Sequence, residues 1–156
     1  MPDSFFVWLQ STALAGSIAE SVMATALLSA VHLVGFAVLM GSVLVSALRQ
    51  MGLIFTEQPA GHSTVAADRA VLIGVTISMA TGLLLFASRA PAAAANGIFQ
   101  LKMLLLAAAA IFHLVFFRRL PRRVDAAPRL LRVNGAAGLT LWVAVALAGC
   151  AFILLE

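Results

Sequence analysis

The sequence predicts an all-α integral membrane four-helix bundle with a short interfacial helix at its N-terminus. Three observations carry that prediction: 63% of the 156 residues are hydrophobic, only 10% are charged, and mean hydropathy is +1.08. Soluble domains hold roughly 45 to 50% apolar and about 25% charged residues, so the composition excludes an ordinary soluble fold. The apolar residues collect in four runs, Ser21 to Leu48, Ala70 to Ala87, Ile98 to Phe117 and Gly135 to Leu155. Crossing the hydrocarbon takes roughly 18 to 20 residues, which places spans at about 20–48, 68–88, 97–118 and 135–155. The connections are too short to build a second core, so residues 1–156 are expected to form a single transmembrane domain.

At the N-terminus, Met1-Pro2-Asp3-Ser4 carries no basic residue and no small-residue cleavage site follows, so a cleaved signal peptide is not expected. Asp3 or Ser4 can cap a helix carrying Phe5, Phe6, Trp8 and Leu9 ahead of Gly16. Its aromatics suit the headgroup layer, and the interfacial helix is set at about 4–15.

The first span contains His32. At about 100° per residue, Ser21, Thr25, Ser29, Ser42 and Ser46 fall within roughly a quarter turn of it, with Gly35 and Gly41 close by. Such a polar, small-residue stripe should face the bundle interior, where hydroxyls find partners and glycine admits a helix or a flat ligand. The second span spaces Gly74, Ser78 and Gly82 four residues apart, a face for close helix contact within the chain or in a homo- or hetero-oligomer. The third span holds Lys102 and His113, about 20° apart on the wheel and separated by roughly 16 Å along the axis. The connector that follows, from Arg118 to Arg129, is broken by Pro121 and Pro128 and reads as an irregular segment against lipid. The fourth span, with Gly135, Gly138, Ala144 and Gly149, reads as a packing element; Trp142 lies too deep for an interfacial anchor and Cys150 reads as a small packing residue.

Arg49 and Arg69 flank the first inter-span connection, and Arg118, Arg119, Arg122, Arg123, Arg129 and Arg132 crowd the third. The other side has Arg89 and, one turn into the third span, Lys102, so the positive-inside rule puts the Arg-rich loops in the cytoplasm and both termini in the periplasm of a bacterial inner membrane. Attraction to anionic membrane lipid accounts for the net charge of +4, and nucleic acid is not an expected partner.

An ionisable side chain at membrane depth costs about 2 to 3 kcal/mol or more, so His32, Lys102 and His113 are the functional candidates, while His62 falls in a solvated loop. Counted from the presumed membrane edge, the two span histidines differ in depth by about 6 Å. Two imidazoles on different helices of a bundle suit bis-histidine ligation of haem b. Phe36, Leu39, Phe116 and Phe117 would wall the macrocycle and Lys102 would meet its propionates. Two other readings stand beside it. The histidines are hydrogen-bonded packing residues of a non-catalytic accessory subunit, or they bind copper with help from Met23, Met40, Met79 and Met103, residues that also serve as ordinary core filler. Cys150 alone offers no disulfide and no Cys-x-x-Cys-His haem attachment. No nucleophile–base pair, phosphate loop or intramembrane carboxylate supports a hydrolase, an ATPase or a proton-coupled transporter.

His32-x-x-Gly35, Leu48-Arg49-x-x-Gly52-Leu53, Thr81-Gly82 with Phe86, and Asn96-x-x-Phe99-x-x-Lys102 together resemble an uncharacterised bacterial family of small four-helix inner-membrane proteins. That family is more distantly similar to membrane cytochrome b and copper-resistance type four-helix folds, in which histidines on different spans hold haem or metal. The resemblance implies that Asn96 and Phe99 belong with His32, Gly35, Lys102 and His113 as site candidates. The expected activity is electron transfer, exchanging electrons with a quinone or a partner redox subunit, without enzymatic turnover by this chain alone.

Overall fold

The computed structural model describes residues 2–55, 60–123 and 126–155. Among the described residues seven α-helices follow in order: α1 (Pro2–Gln10), α2 (Ala13–Glu20), α3 (Val22–Gln50), α4 (Ala60–Ala87), α5 (Ala90–Ala95), α6 (Gly97–Phe112) and α7 (Pro128–Leu154). A π turn, His113–Phe117, continues α6, and a 3-10 turn covers Leu120–Arg122. Val22–Gln50, Ala67–Ala87, Gly97–Arg122 and Pro128–Leu154 are each long and apolar enough to cross a bilayer, so the chain is a multi-pass membrane protein.

Local chemistry sets the helix ends. Thr12 caps α2, Ser21 caps α3 and Asn96 caps α6, each hydroxyl or amide oxygen accepting a first-turn N–H. Gly52, at φ +74°, ends α3 with its N–H on the Arg49 carbonyl while the Leu53 N–H bonds back to Leu48. The expected interfacial segment is two helices, α1 and α2, instead of one. α4 starts ahead of the expected second span, so the backbone at His62 is helical; the His62 side chain lies outside the described residues. α7 also starts early, at Pro128 instead of Gly135. Proline at the first helical position forfeits no internal hydrogen bond and its fixed φ suits the helix, so Pro128 opens α7 and carries Arg129 and Arg132 on it.

The four long helices alternate in direction. α3 packs between α4 and α7, and α7 packs on α6, but α6 does not pack extensively on α4, so the ring of helices stays open on one side. Leu39, Val43, Ala47, Val71, Ala109, Phe117, Trp142 and Val145 form the core. Large apolar side chains such as Leu33, Leu72, Leu104 and Leu147 point outward, as lipid-facing surface requires. The closest crossing is between α3 and α4, where a Cβ on Gly74 would sit 2.7 Å from the Gly35 carbonyl oxygen and 2.6 Å from the Leu39 nitrogen. The Gly74, Ser78 and Gly82 face is therefore spent on α3 within the chain.

At the Arg-rich end, Asn134 of α7 donates to Gln50 Oε1 of α3 at 2.6 Å, and Gln50 Nε2 donates to the Phe117 carbonyl at 3.3 Å. Asp68 pairs with Arg122 and, at 3.5 Å, with Arg118. Amide contacts inside a membrane bundle contribute about 0.6 kcal/mol on average and up to about 1.7 kcal/mol. A double-mutant cycle on Gln50→Leu and Asn134→Leu, read by detergent unfolding, should return a coupling in that range.

Candidate functional site

His32 sits about three helical turns from the α2–α3 corner and turns its ring toward α4. Its Nδ1 lies 2.9 Å from the Ser78 carbonyl and 3.2 Å from Thr81 Oγ1. The Thr81 hydroxyl already donates to the Ile77 carbonyl at 2.7 Å. Both groups facing Nδ1 are therefore acceptors, which fixes the tautomer with the proton on Nδ1 and a lone pair on Nε2. Nε2 makes no hydrogen bond among the described residues. Gly82 makes this approach feasible: its own N–H lies one turn above the Ser78 carbonyl, and a Cβ there would come within 3.1 Å of His32 Cε1. An imidazole anchored through Nδ1–H to a carbonyl, with Nε2 bare, is the usual arrangement of a metal-ligating histidine.

The open side of the helix ring holds a cavity of about 310 Å³, within the range of roughly 300–1,000 Å³ typical of small-molecule sites. His32, Phe36 and Leu39 line it from α3, Ser78 and Phe86 from α4, Phe99 and Lys102 from α6, and Trp142 from α7. Its walls are almost wholly apolar. Phe86 and Phe99 stack at 5.2 Å and, with Phe6 and Phe152 at 6.0 and 5.5 Å, close the end nearest the chain termini. Between α4 and α6 the cavity opens sideways past the exposed side chains of Met79, Leu83 and Met103.

Lys102 is half-buried in this apolar lining beside Gly149, and it makes no hydrogen bond or ion pair among the described residues. An ammonium at membrane depth without a counter-charge is costly.

His113 is elsewhere. It is buried against Phe117, 5.1 Å away and stacked, and meets the edge of Trp142 at 6.3 Å. It does not line the cavity, and its Nδ1 and the neighbouring Trp142 Nε1 find no hydrogen-bond partner among the described residues. Gly135 seats on the Ala47 carbonyl, Gly138 under the Phe117 ring and Gly149 beside Lys102, which sets the antiparallel register of α3, α6 and α7. In that register His113 is level with the part of α3 near Val43, roughly 15 Å from His32 along the axis, whereas Lys102 lies within about one turn of His32. The expected near-equal depth of the two imidazoles is not met; His32 pairs in depth with Lys102.

Residues 5–154 match the model of a family of unknown function, DUF6644. The chain belongs to the DUF6644 family. No curated protein and no solved structure matches it. Membership in DUF6644 agrees with the resemblance to an uncharacterised family, and the comparisons bring nothing to the more distant likeness to cytochrome b or copper-resistance folds.

Among the candidate residues of this DUF6644 chain, the structure gathers His32, Lys102 and Phe99 at the cavity. Gly35 is spent on the crossing with Ile77 and Ser78, and the Asn96 side chain caps α6 by accepting from the Ile98 and Phe99 N–H groups, so neither reaches the ligand space. Cys150 is exposed instead of packed. Among the described residues no three His, Cys, Asp or Glu side chains converge as a metal cluster. Sequence reasoning missed Thr81 as the His32 anchor and Trp142 as cavity floor. The spacing of Gly82 four residues after Ser78 was the available signal for the first, since it leaves the Ser78 carbonyl uncovered.

Proposed function

We propose that this protein binds haem b in the cavity between α4 and α6, with His32 as the histidine ligand and Lys102 as the partner of a propionate, and serves electron transfer. The observation that supports the reading is one apolar cavity holding both an imidazole with a bare Nε2 and an ammonium, neither with a partner among the described residues. A ligand satisfying both needs a metal centre and an anionic arm on an otherwise apolar body, which describes a metalloporphyrin with its propionates. Haem, when bound, supplies one-electron chemistry. The residues of the chain do the rest. Ser78 and Thr81 orient His32, Phe86 and Phe99 shut out water at one end, and Trp142 and Leu39 close the floor. The sideways opening past Met79, Leu83 and Met103 would give a bilayer-dissolved quinone an approach to the cavity.

His113 is not part of this site, and bis-histidine ligation is replaced by a single histidine. The charge distribution supports insertion in a bacterial inner membrane with the Arg-rich loops cytoplasmic and both termini periplasmic. Arg119 and Arg123 are exposed at that end, where anionic headgroups would meet them.

Haem titration of the purified protein tests the reading. The wild-type chain should develop a Soret band that saturates, and Lys102→Met should bind roughly tenfold or more weakly, since a charge-assisted hydrogen bond contributes about 1.5–3 kcal/mol. Equal affinity would detach Lys102 from the propionates. Absence of a Soret band in the wild type would overturn the haem reading itself.

A further inference from the structure

The geometry points to Met103 as the second axial ligand, which rests on the haem reading above and gives the site a histidine–methionine pair. With His113 outside the cavity, the donors left on its lining are few. Ser78 and Lys102 are engaged or claimed, and the Trp142 N–H can only donate. The thioethers of Met79 and Met103 remain, and both line the cavity.

The two methionines are not equivalent. Met79 follows Ser78 on α4, the helix that already holds the His32 ring through Nδ1. It stands on the wall that anchors that ring. Met103 is on α6, across the gap from the α3–α4 pair, beside Lys102 and at the depth of His32. A donor opposite His32 has to come from that far wall. Met103 is also not spent on packing. Met40, which has the same side chain, is packed against the core cluster, whereas Met103 and Met79, 37% and 43% exposed, both stand at the cavity mouth, so their position on opposite walls is what separates them. A thioether is a soft donor that binds haem iron opposite histidine and raises its reduction potential.

The experiment compares haem-loaded wild type with Met103→Leu, Met79→Leu and Met103→His. It reads the ferric spin state by electron paramagnetic resonance and the midpoint potential by redox titration. Wild type should be low-spin and six-coordinate. Met103→Leu, which keeps the volume and apolarity, should lose the low-spin signal and bind carbon monoxide more readily once reduced. Met79→Leu should match wild type, and Met103→His should restore the low-spin signal at a lower potential. High-spin haem in the wild type, or an unchanged spectrum in Met103→Leu, overturns the assignment while leaving haem at His32 in place. Wild-type protein that takes up no haem overturns both.

Discussion

Replacing His32 with alanine should abolish haem binding, while His113→Ala should leave the Soret band in place. The two substitutions remove the same ring from the same kind of apolar helix, so composition alone gives no reason for different outcomes. The difference comes from what each ring touches. His32 has its Nδ1 fixed on Ser78 and Thr81 and borders the cavity, so its loss removes the histidine proposed to hold the haem, and among the described residues no other imidazole borders the cavity. His113 is wedged between Phe117 and Trp142 outside the cavity, and its loss leaves a hole in the packing at the π turn. Truncating a buried ring of that size costs about 2 to 5 kcal/mol of stability, so His113→Ala should unfold at lower temperature with its haem spectrum unchanged. Absorption spectra and thermal unfolding of both variants separate the two effects. Loss of the Soret band in both, at a temperature where both remain folded, would restore His113 to the site.

Gly74→Leu should have the largest effect on the fold. Its Cβ alone would lie 2.6 Å from the Leu39 nitrogen and 2.7 Å from the Gly35 oxygen, and these are backbone atoms that cannot swing aside. α3 and α4 would have to part, at a cost of about 1 to 3 kcal/mol or more. The same movement would draw the Ser78 carbonyl away from His32, so haem retention should fall together with stability. Gly41→Leu is the matched control, because a Cβ there meets nothing within 4 Å and the position is exposed. Detergent unfolding and haem content of the two variants should diverge; equal behaviour would mean that the α3–α4 crossing is not close.

Most of the fold was legible in the sequence because a bilayer imposes long apolar runs, and each of the four predicted runs became a helix of spanning length. His32 and Lys102 were legible for the same reason, as ionisable groups in an apolar solvent. The pairing was not. Depth had been counted from assumed membrane edges, while the actual register is fixed by contacts such as Gly135 on Ala47 and Gly138 under Phe117, which no helical wheel contains. Pro128 was read as a breaker because proline's missing N–H is harmful in a helix interior, but at the first position it costs nothing. Asn96 entered the candidate site through the family resemblance, within Asn96-x-x-Phe99-x-x-Lys102; its side chain is a helix cap. The role proposed for Met103 could not be seen from spacing, since it depends on α6 standing apart from α4.

The central claim is that the cavity bordered by His32 and Lys102 is a haem site. The ratio of haem to protein in wild-type chain purified after expression with ample haem tests it most directly. One haem per chain, held through repeated detergent washes, is the expected result. Colourless protein with the helical content of the folded chain would contradict it.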